Sequence, residues 1–190
     1  MDREALVYVD LDGVPHLMGR LWARTRKNKE SATFEYDKTW LENPARFSLE
    51  PALQVGPGPF HTPADTPMFG AIGDSAPDRW GRALMRRMER RRAEREGGVP
   101  RTLQEIDFLL LVDDEARLGA LRFAEKEGGP FLREEGVKRI PPLIELPKLL
   151  SAAEHVMEEK DTEEELRLLF APGSSLGGAR PKASVREKDG

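Results

Sequence analysis

The sequence predicts an α+β fold, in which an antiparallel β subdomain comes first and a mainly helical part follows. Residues of high β-propensity dominate positions 1–50, and a proline- and glycine-rich connection occupies positions 51–67. Capped apolar patterns with a helical period fill most of positions 68–171. Because strands precede helices instead of alternating with them, the order favours α+β over a βαβ succession.

The first fifty residues predict a three-stranded meander. Residues 5–11 are rich in β-forming side chains, and Asp12-Gly13 is a strong signal for a two-residue hairpin. Residues 14–25 are predicted as the return strand, with Gly19 at a bulge or bend. Residues 33–37 alternate apolar and polar side chains and predict the third strand. Residues 51–67 contain five prolines, so we expect neither a ladder nor a helix there.

A long helix is predicted to begin near Pro77. Asp74 or Ser75 is the expected N-cap. Trp80, Leu84 and Met88 recur every four residues and predict one apolar stripe. Gly97-Gly98 is expected to end the helix.

Two Thr-x-x-Glu capping boxes predict further helix starts, at Thr102 and at Thr162. The first precedes the apolar run 106–112, and the second opens a helix over 162–170. Another helix is predicted near 147–159, and residues 118–123 predict a short strand.

Residues 172–190 form a glycine-rich segment that leads into a predicted strand at 183–185. Its glycines can turn backbone N–H groups toward one point, which is how such loops hold phosphate oxygens, and Lys182 adds positive charge. The spacing fits neither the P-loop nor the dinucleotide-binding pattern. From the residues alone, a phosphate loop and a flexible connection both stay open, and the flexible connection is favoured.

Three ordered segments resemble the HipA-like serine/threonine kinase toxins, the kinase half of bacterial toxin–antitoxin pairs. They are Asp-Ser-Ala-Pro-Asp-Arg-Trp-Gly at 74–81, Gly-Ala-Leu-Arg-Phe at 119–123, and Ser-Leu-Gly-Gly-Ala-Arg-Pro-Lys at 175–182. The resemblance implies that the glycine-rich loop enters a β-hairpin of a kinase N-lobe, and that residues 1–50 are the family's small β subdomain.

The resemblance also implies functional residues. The nucleotide-binding residues would be Gly177, Gly178, Ala179, Arg180, Pro181 and Lys182, and Ser175 would be the residue that the kinase phosphorylates on itself. The complete kinase would use ATP and Mg²⁺ to phosphorylate a protein serine or threonine, by analogy on an aminoacyl-tRNA synthetase. The family's catalytic and metal-binding residues lie further along the chain. We therefore expect no catalytic residue, no metal site and no tightly bound cofactor within residues 1–190.

The family implies a helix-turn-helix antitoxin as partner, a protein substrate, and contact with nucleic acid only through the antitoxin. The alternative function is a non-catalytic interaction module that binds this antitoxin. No signal peptide or membrane-spanning segment is predicted, and the absence of cysteine suits the cytoplasm.

The net charge of −4 argues against general affinity for nucleic acids or membranes. The predicted helix from Pro77 nevertheless carries eight arginines between positions 79 and 95. They could form a phosphate-binding patch or a solvated face that pairs with neighbouring glutamates, and the second interpretation is favoured. The three histidines are scattered without metal-ligand spacing. The three tryptophans, Trp22, Trp40 and Trp80, are expected to anchor packing.

Overall fold

A computed structural model describes residues 2–27, 29–114, 116–132 and 146–173. The chain divides into two compact units. The first unit comprises Met1–Ala76, Gln104–Leu110 and Leu118–Leu132, and the second comprises Pro77–Leu103, Leu111–Arg117 and Arg133–Gly190. The first unit holds an antiparallel sheet and the second is helical where it is described, which confirms the α+β class.

The sheet has five strands in the order β4-β3-β2-β1-β5, with every neighbouring pair antiparallel. The strands are β1 (Asp2–Leu11), β2 (Val14–Arg26), β3 (Lys29–Tyr36), β4 (Pro59–His61) and β5 (Leu121–Ala124). The first three strands form the predicted meander. The helices are α1 (Lys38–Glu42), α2 (Gly70–Gly73), α3 (Arg79–Glu96), α4 (Glu105–Leu110), α5 (Leu146–Met157) and α6 (Glu163–Gly173).

The turn between β1 and β2 is the one that the sequence predicts. Asp12 and Gly13 both have positive φ, 53° and 81°, and the Gly13 N–H donates to the Asp10 carboxylate at 2.7 Å. The bulge near Gly19 is also confirmed, because the register between β1 and β2 shifts by one residue there. A Cβ on Gly19 would lie 2.2 Å from the backbone oxygen of Glu35. Only glycine fits at this position, where β2 approaches the backbone of β3 so closely.

The expectation that residues 51–67 contain no ladder is wrong at one place. Pro59–His61 forms the edge strand β4, and Phe60 lies opposite Phe34 of β3. Pro59 has no N–H to donate, which an edge strand tolerates because one side of the strand needs no partner. The proline-rich composition therefore limits β4 to three residues without preventing it.

The core of the first unit lies on one face of the sheet. Alternate residues of the central strands, including Val7, Leu21 and Phe34, are fully buried there. Trp40 of α1 and Ile72 of α2 join the same cluster. The anchoring role predicted for Trp40 is therefore confirmed.

The capping box predicted at Thr102 is not formed. Helix α4 begins three residues later, at Glu105, and its first N–H groups are satisfied from a distant strand. The Glu30 carboxylate accepts the N–H of Glu105 at 2.7 Å and that of Ile106 at 3.0 Å. A carboxylate is a stronger acceptor than a hydroxyl for orphan N–H groups at a helix start, so the long-range contact replaces the local one.

Helix α3 of the second unit starts later than predicted. Its N-cap is Asp78, whose Oδ1 accepts the N–H groups of Trp80 at 3.1 Å and Gly81 at 3.3 Å. Asp74, predicted as one candidate cap, instead ends α2. The reason is that α2 occupies residues 70–73, so that the chain has to turn before α3 can begin.

The other end of α3 and the start of α6 follow the prediction. Gly97 ends α3 with φ 64°, and the Gly98 N–H returns to the Ala93 carbonyl at 2.8 Å. At the start of α6 the Thr162 hydroxyl accepts the Glu165 N–H at 3.2 Å, and Glu165 accepts the Thr162 N–H at 2.8 Å. Trp80 and Leu84 of α3 form one apolar cluster with residues of α5 and α6.

Candidate functional site

The predicted nucleotide-binding residues Gly177, Gly178, Ala179, Arg180, Pro181 and Lys182 lie outside the described residues. So do Ser175 and the expected hairpin after the glycine loop. These remain predictions. Among the described residues are the two other family-like segments, whose structural roles are given first. A polar and aromatic surface on the sheet of the first unit is described after them.

The segment at 74–82 builds the start of α3. Asp78 caps the helix, and the Trp80 side chain is buried among Leu84 and the residues of α5 and α6. The Arg82 Nε donates to the Pro77 carbonyl at 2.8 Å, which fixes the turn before the helix. These contacts give the segment a structural role.

The family-like segment at 119–123 leads into strand β5, and a buried arginine, Arg117, precedes it. Arg117 donates from Nη2 to the Val112 carbonyl at 2.9 Å. Burial lowers the pKa of Arg117 to about 10, against the opposing effect of Asp114 and Asp113. In the first unit, Gly119 adopts φ 84° just before β5, as the glycine of the family-like segment allows.

The face of the sheet opposite the core carries a polar and aromatic surface around Trp22. Trp22 is half-buried, and its Nε1 donates to the Glu4 Oε2 on the neighbouring strand at 3.1 Å. The other oxygen of Glu4 pairs with the Arg20 guanidinium. On β3, Thr33 lies opposite Trp22. The Thr33 hydroxyl is 2.9 Å from the Nδ1 of His61 on β4. We call Glu4, Arg20, Trp22, Thr33 and His61 the Trp22 face.

The same side of the sheet continues onto β5. The Arg122 guanidinium lies 3.8 Å from the centroid of the Phe131 ring, and Tyr8 meets that ring edge-on at 5.3 Å. Asp10 is 3.6 Å from Arg122. Aromatic and arginine side chains of this kind are enriched at protein interfaces.

Sequence reasoning missed the Trp22 face because it treated all three tryptophans alike. Trp80 is buried as predicted, whereas Trp22 is absent from the core cluster of its unit. The signal was available: Leu21 and Ala23 point to the core, so the alternation of a strand places Trp22 on the opposite face.

Four arginines of α3 are ion-paired within the second unit, as the favoured interpretation expects. The pairs are Arg87–Asp161 at 3.1 Å, Arg91–Glu94 at 3.2 Å, Arg92–Glu89 at 2.8 Å and Arg95–Glu163 at 2.8 Å. The Arg92 hydrogen bond is the main reason that the pKa of Glu89 falls to about 2. Arg79, Arg86 and Arg90 lie at exposed positions, as do the paired Arg92 and Arg95.

Within the described ranges, no group of three or more histidine, aspartate or glutamate side chains could hold a metal ion. The histidines contact separate partners: His16 lies near Asn43, His61 near Thr33, and His155 near Glu165. In the part of the chain that the structure describes, no helix combines the length and apolar character needed to cross a membrane.

Comparison with known families gives one match. The model of the HipA N-terminal domain matches residues 9–124, more than half of the 190-residue chain. This range covers the last three residues of β1, all of β2–β5 and helices α1–α4. No curated protein matches the chain. The start of α3 lies within the matched range, and the sheet and the Trp22 face extend from it to residues before position 9. Because the match covers more than half of the sequence, the chain belongs to the HipA N-terminal domain family.

Proposed function

We propose that this chain is the N-terminal region of a HipA-like toxin kinase. In its complete form the kinase transfers the γ-phosphoryl group of ATP to a protein serine or threonine, by analogy on an aminoacyl-tRNA synthetase. The family match over residues 9–124 carries the proposal. The glycine-rich segment 175–182 supports it, because this segment follows the matched range in the order that the resemblance implies. The expected compartment is the cytoplasm.

In this proposal the glycine-rich segment binds the nucleotide. The backbone N–H groups of Gly177 and Gly178 and the charges of Arg180 and Lys182 would hold phosphate oxygens. ATP with Mg²⁺ would supply the phosphoryl group and neutralise charge during its transfer. A phosphate on Ser175 would bring about −1.5 to −2 charge next to these groups and would compete with ATP.

The test of the nucleotide site is ATP titration of the complete kinase with Lys182→Ala. Loss of one charge-assisted contact of roughly 1.5–3 kcal/mol should weaken ATP binding by at least about tenfold. Lys188→Ala removes the same side chain six positions further on and is the control, for which we expect little change. Equal ATP affinity in the Lys182→Ala, Lys188→Ala and unaltered proteins would contradict the assignment.

A second function, an interaction module for a helix-turn-helix antitoxin, is favoured by the Trp22 face. Trp22 is only half-buried, on the face of the central strand β2 that is opposite the core, and the Glu4 carboxylate fixes the orientation of its ring. A preoriented tryptophan loses little side-chain entropy on binding, and tryptophan and arginine are the residues most enriched among interface hot spots. The two functions are compatible, because the interaction and nucleotide residues lie in different segments.

The test of the interaction module is antitoxin binding by the Trp22→Ala variant. A hot-spot loss of about 2 kcal/mol corresponds to roughly a 30-fold weaker Kd. Phe47→Ala is the matched control, because Phe47 is also a partly exposed aromatic residue of the first unit, at 41%. If both variants keep the thermal stability and antitoxin affinity of the unaltered chain, the Trp22 face is not the antitoxin surface.

A further inference from the structure

We propose that the end of the β2–β3 hairpin is a sequence-independent binding surface for the phosphate backbone of duplex DNA. The surface consists of Arg24 and Arg26 on β2, Lys27 in the turn and Lys29 on β3, and we call these residues the basic tip. The inference does not depend on the kinase assignment, because the basic tip lies outside the glycine-rich segment and shares no residue with the Trp22 face.

The hairpin extends beyond the strands on either side of it. Within the described residues, β1 pairs with β2 only as far as Arg24, and β4 pairs with β3 only as far as Thr33. The pairing of β2 with β3 continues to Arg26 and Lys29. The last two residue pairs of the hairpin therefore lie at the end of the sheet, where no described strand flanks them.

Three of the four cations lie on one face of the hairpin. Side chains alternate along a strand, so Arg24 and Arg26 lie on the same face as Trp22, away from the core. Lys29 is directly opposite Arg26 and shares this face. All four side chains of the basic tip are exposed. Arg24 and Arg26 are two residues apart, about 7 Å along the strand, so the three charges form one compact group.

Two features of the hairpin are unfavourable for folding, and both place positive charge at its end. Arg26 and Lys29 form a directly opposed pair of like charges, which destabilises a sheet. Lys27 has φ 49°, in the left-handed region that a side chain such as lysine rarely adopts. Strained residues are concentrated where ligands bind. A polyanion bound across the basic tip would relieve the repulsion between Arg26 and Lys29.

The carboxylates beside the basic tip are held weakly. Arg24 is 3.5 Å from Asp2, and Lys29 is 2.6 Å from Asp65. All four of these side chains are more than half exposed, and exposed ion pairs of this kind contribute little, so a phosphate can exchange with either carboxylate. In the part of the chain that the structure describes, no carboxylate oxygen lies within 4 Å of the other two cations.

A third carboxylate at this end of the sheet, that of Glu30, is directed to the core side. It accepts the N–H groups of Glu105 and Ile106 at the start of α4, so its charge is already used by the helix. Four cations at the basic tip thus face two weakly held carboxylates, although the chain as a whole carries −4. A local positive patch of this kind attracts a polyanion most strongly at low ionic strength.

The chemistry of the basic tip fits the backbone of a nucleic-acid duplex. Guanidinium and ammonium groups form charge-assisted hydrogen bonds with phosphate oxygens. A duplex carries one charge per about 1.7 Å of its axis, twice the density of one strand, so an attraction that depends on charge favours the duplex. The four side chains include no aromatic ring on which an unpaired base could stack. Phosphate contacts carry no sequence information, so binding should be independent of sequence.

The test is fluorescence anisotropy of the whole chain with a labelled DNA duplex of about 20 base pairs, titrated at several salt concentrations. Four phosphate contacts predict a slope of about −3.6 for log K against log salt, which is roughly a 150-fold loss of affinity between about 50 and 200 mM. R26Q/K27Q removes the two cations without a carboxylate partner, and the slope should fall to about −1.8. K38Q/R46Q makes the same change of charge in residues that follow the other end of β3 and should keep the slope.

A gain of affinity is the second test, because a variant that fails to fold cannot produce it. D2N/D65N removes the two carboxylates that pair with the basic tip and should strengthen duplex binding at least about threefold. E35Q/E42Q removes two exposed carboxylates at and after the other end of β3. Its change in affinity should be clearly smaller.

The proposal is overturned if the unaltered chain does not bind the duplex at low salt, or if R26Q/K27Q binds with the unaltered affinity and slope. Equal gains in D2N/D65N and E35Q/E42Q would reduce the binding to the net charge of the chain and would also overturn it. Tighter binding of a single strand of the same length would overturn the choice of the duplex. Polyglutamate that displaces the duplex at matched charge would assign the basic tip to an acidic protein instead.

Discussion

The carboxylate of Glu89 holds the chain that leaves the end of α3: its Oε1 accepts the backbone N–H of Arg101 at 3.0 Å. Glu89 is buried, and the same carboxylate pairs with Arg92 at 2.8 Å. One side chain in the middle of α3 thus anchors the connection that follows the Gly97 cap.

Replacement of Glu89 by glutamine should destabilise the second unit. It leaves the Arg92 guanidinium and the Arg101 N–H with a weaker acceptor, and we expect a loss of about 1–3 kcal/mol in the free energy of unfolding. Urea denaturation measures it. Glu96→Gln is the control, because Glu96 also pairs with Arg92 but is half exposed, and its loss should stay below about 1 kcal/mol. Equal losses in the two variants would contradict the anchoring role.

Glu89 should also make stability depend on pH in acid. Its pKa is lowered from the ordinary 4.5 to about 2, first by the Arg92 hydrogen bond. A carboxyl group with a depressed folded-state pKa binds its proton more readily in the unfolded chain. Its contribution is therefore complete above about pH 4.5 and is lost as the pH falls toward about 2.

The measurement is the free energy of unfolding of the unaltered chain and of Glu89→Gln between neutral pH and pH 2.5. The difference between the two proteins should be constant near neutrality and shrink below pH 4.5. If the difference instead grows as the pH falls, the pKa of Glu89 is not lowered by folding.

The two Thr-x-x-Glu segments should respond differently to the same substitution. Thr162 forms both hydrogen bonds of a capping box with Glu165, so Thr162→Ala should cost about 0.5–2 kcal/mol. Thr102 lies before α4, whose first N–H groups donate to Glu30 instead. Thr102→Ala should therefore change the free energy of unfolding by less than about 0.5 kcal/mol. Chemical denaturation of both variants decides whether the boxes differ.

Gly19→Ala should be strongly destabilising. An added Cβ would lie 2.2 Å from the Glu35 backbone oxygen, and backbone atoms of a central strand cannot yield cheaply. We expect a loss of about 3 kcal/mol, typical of severe overpacking. Gly98→Ala is the control, because a Cβ there meets nothing within 4 Å. A Gly19→Ala variant as stable as Gly98→Ala would argue against the close approach of Gly19 to the backbone of β3.

Local patterns predicted the elements whose contacts are local. The Asp12-Gly13 turn, the Gly97 cap and the box at Thr162 depend on residues within a few positions of each other. The sequence did not predict that Glu30 would cap α4, because that contact joins residues 75 positions apart. The edge strand β4 was missed for a similar reason, since its pairing partner lies on β3.

The candidate site was only partly predictable. The alternation of β2 is sufficient to place Trp22 away from the core, but its contact with Glu4 requires the register of β1 against β2. The ion pairs of Arg87 and Arg95 could not be predicted from the helical period, because their partners Asp161 and Glu163 lie about 70 positions further along the chain.

The central claim, that this chain is the N-terminal region of a protein kinase, is tested most directly by incubating the complete kinase with labelled ATP and Mg²⁺ and locating the label by peptide mass spectrometry. The account predicts phosphate on Ser175 in the unaltered kinase, loss of that phosphopeptide in Ser175→Ala, and no transfer by residues 1–190 alone. Absence of label from the complete kinase and from added protein, with the protein folded and ATP present, would contradict the account.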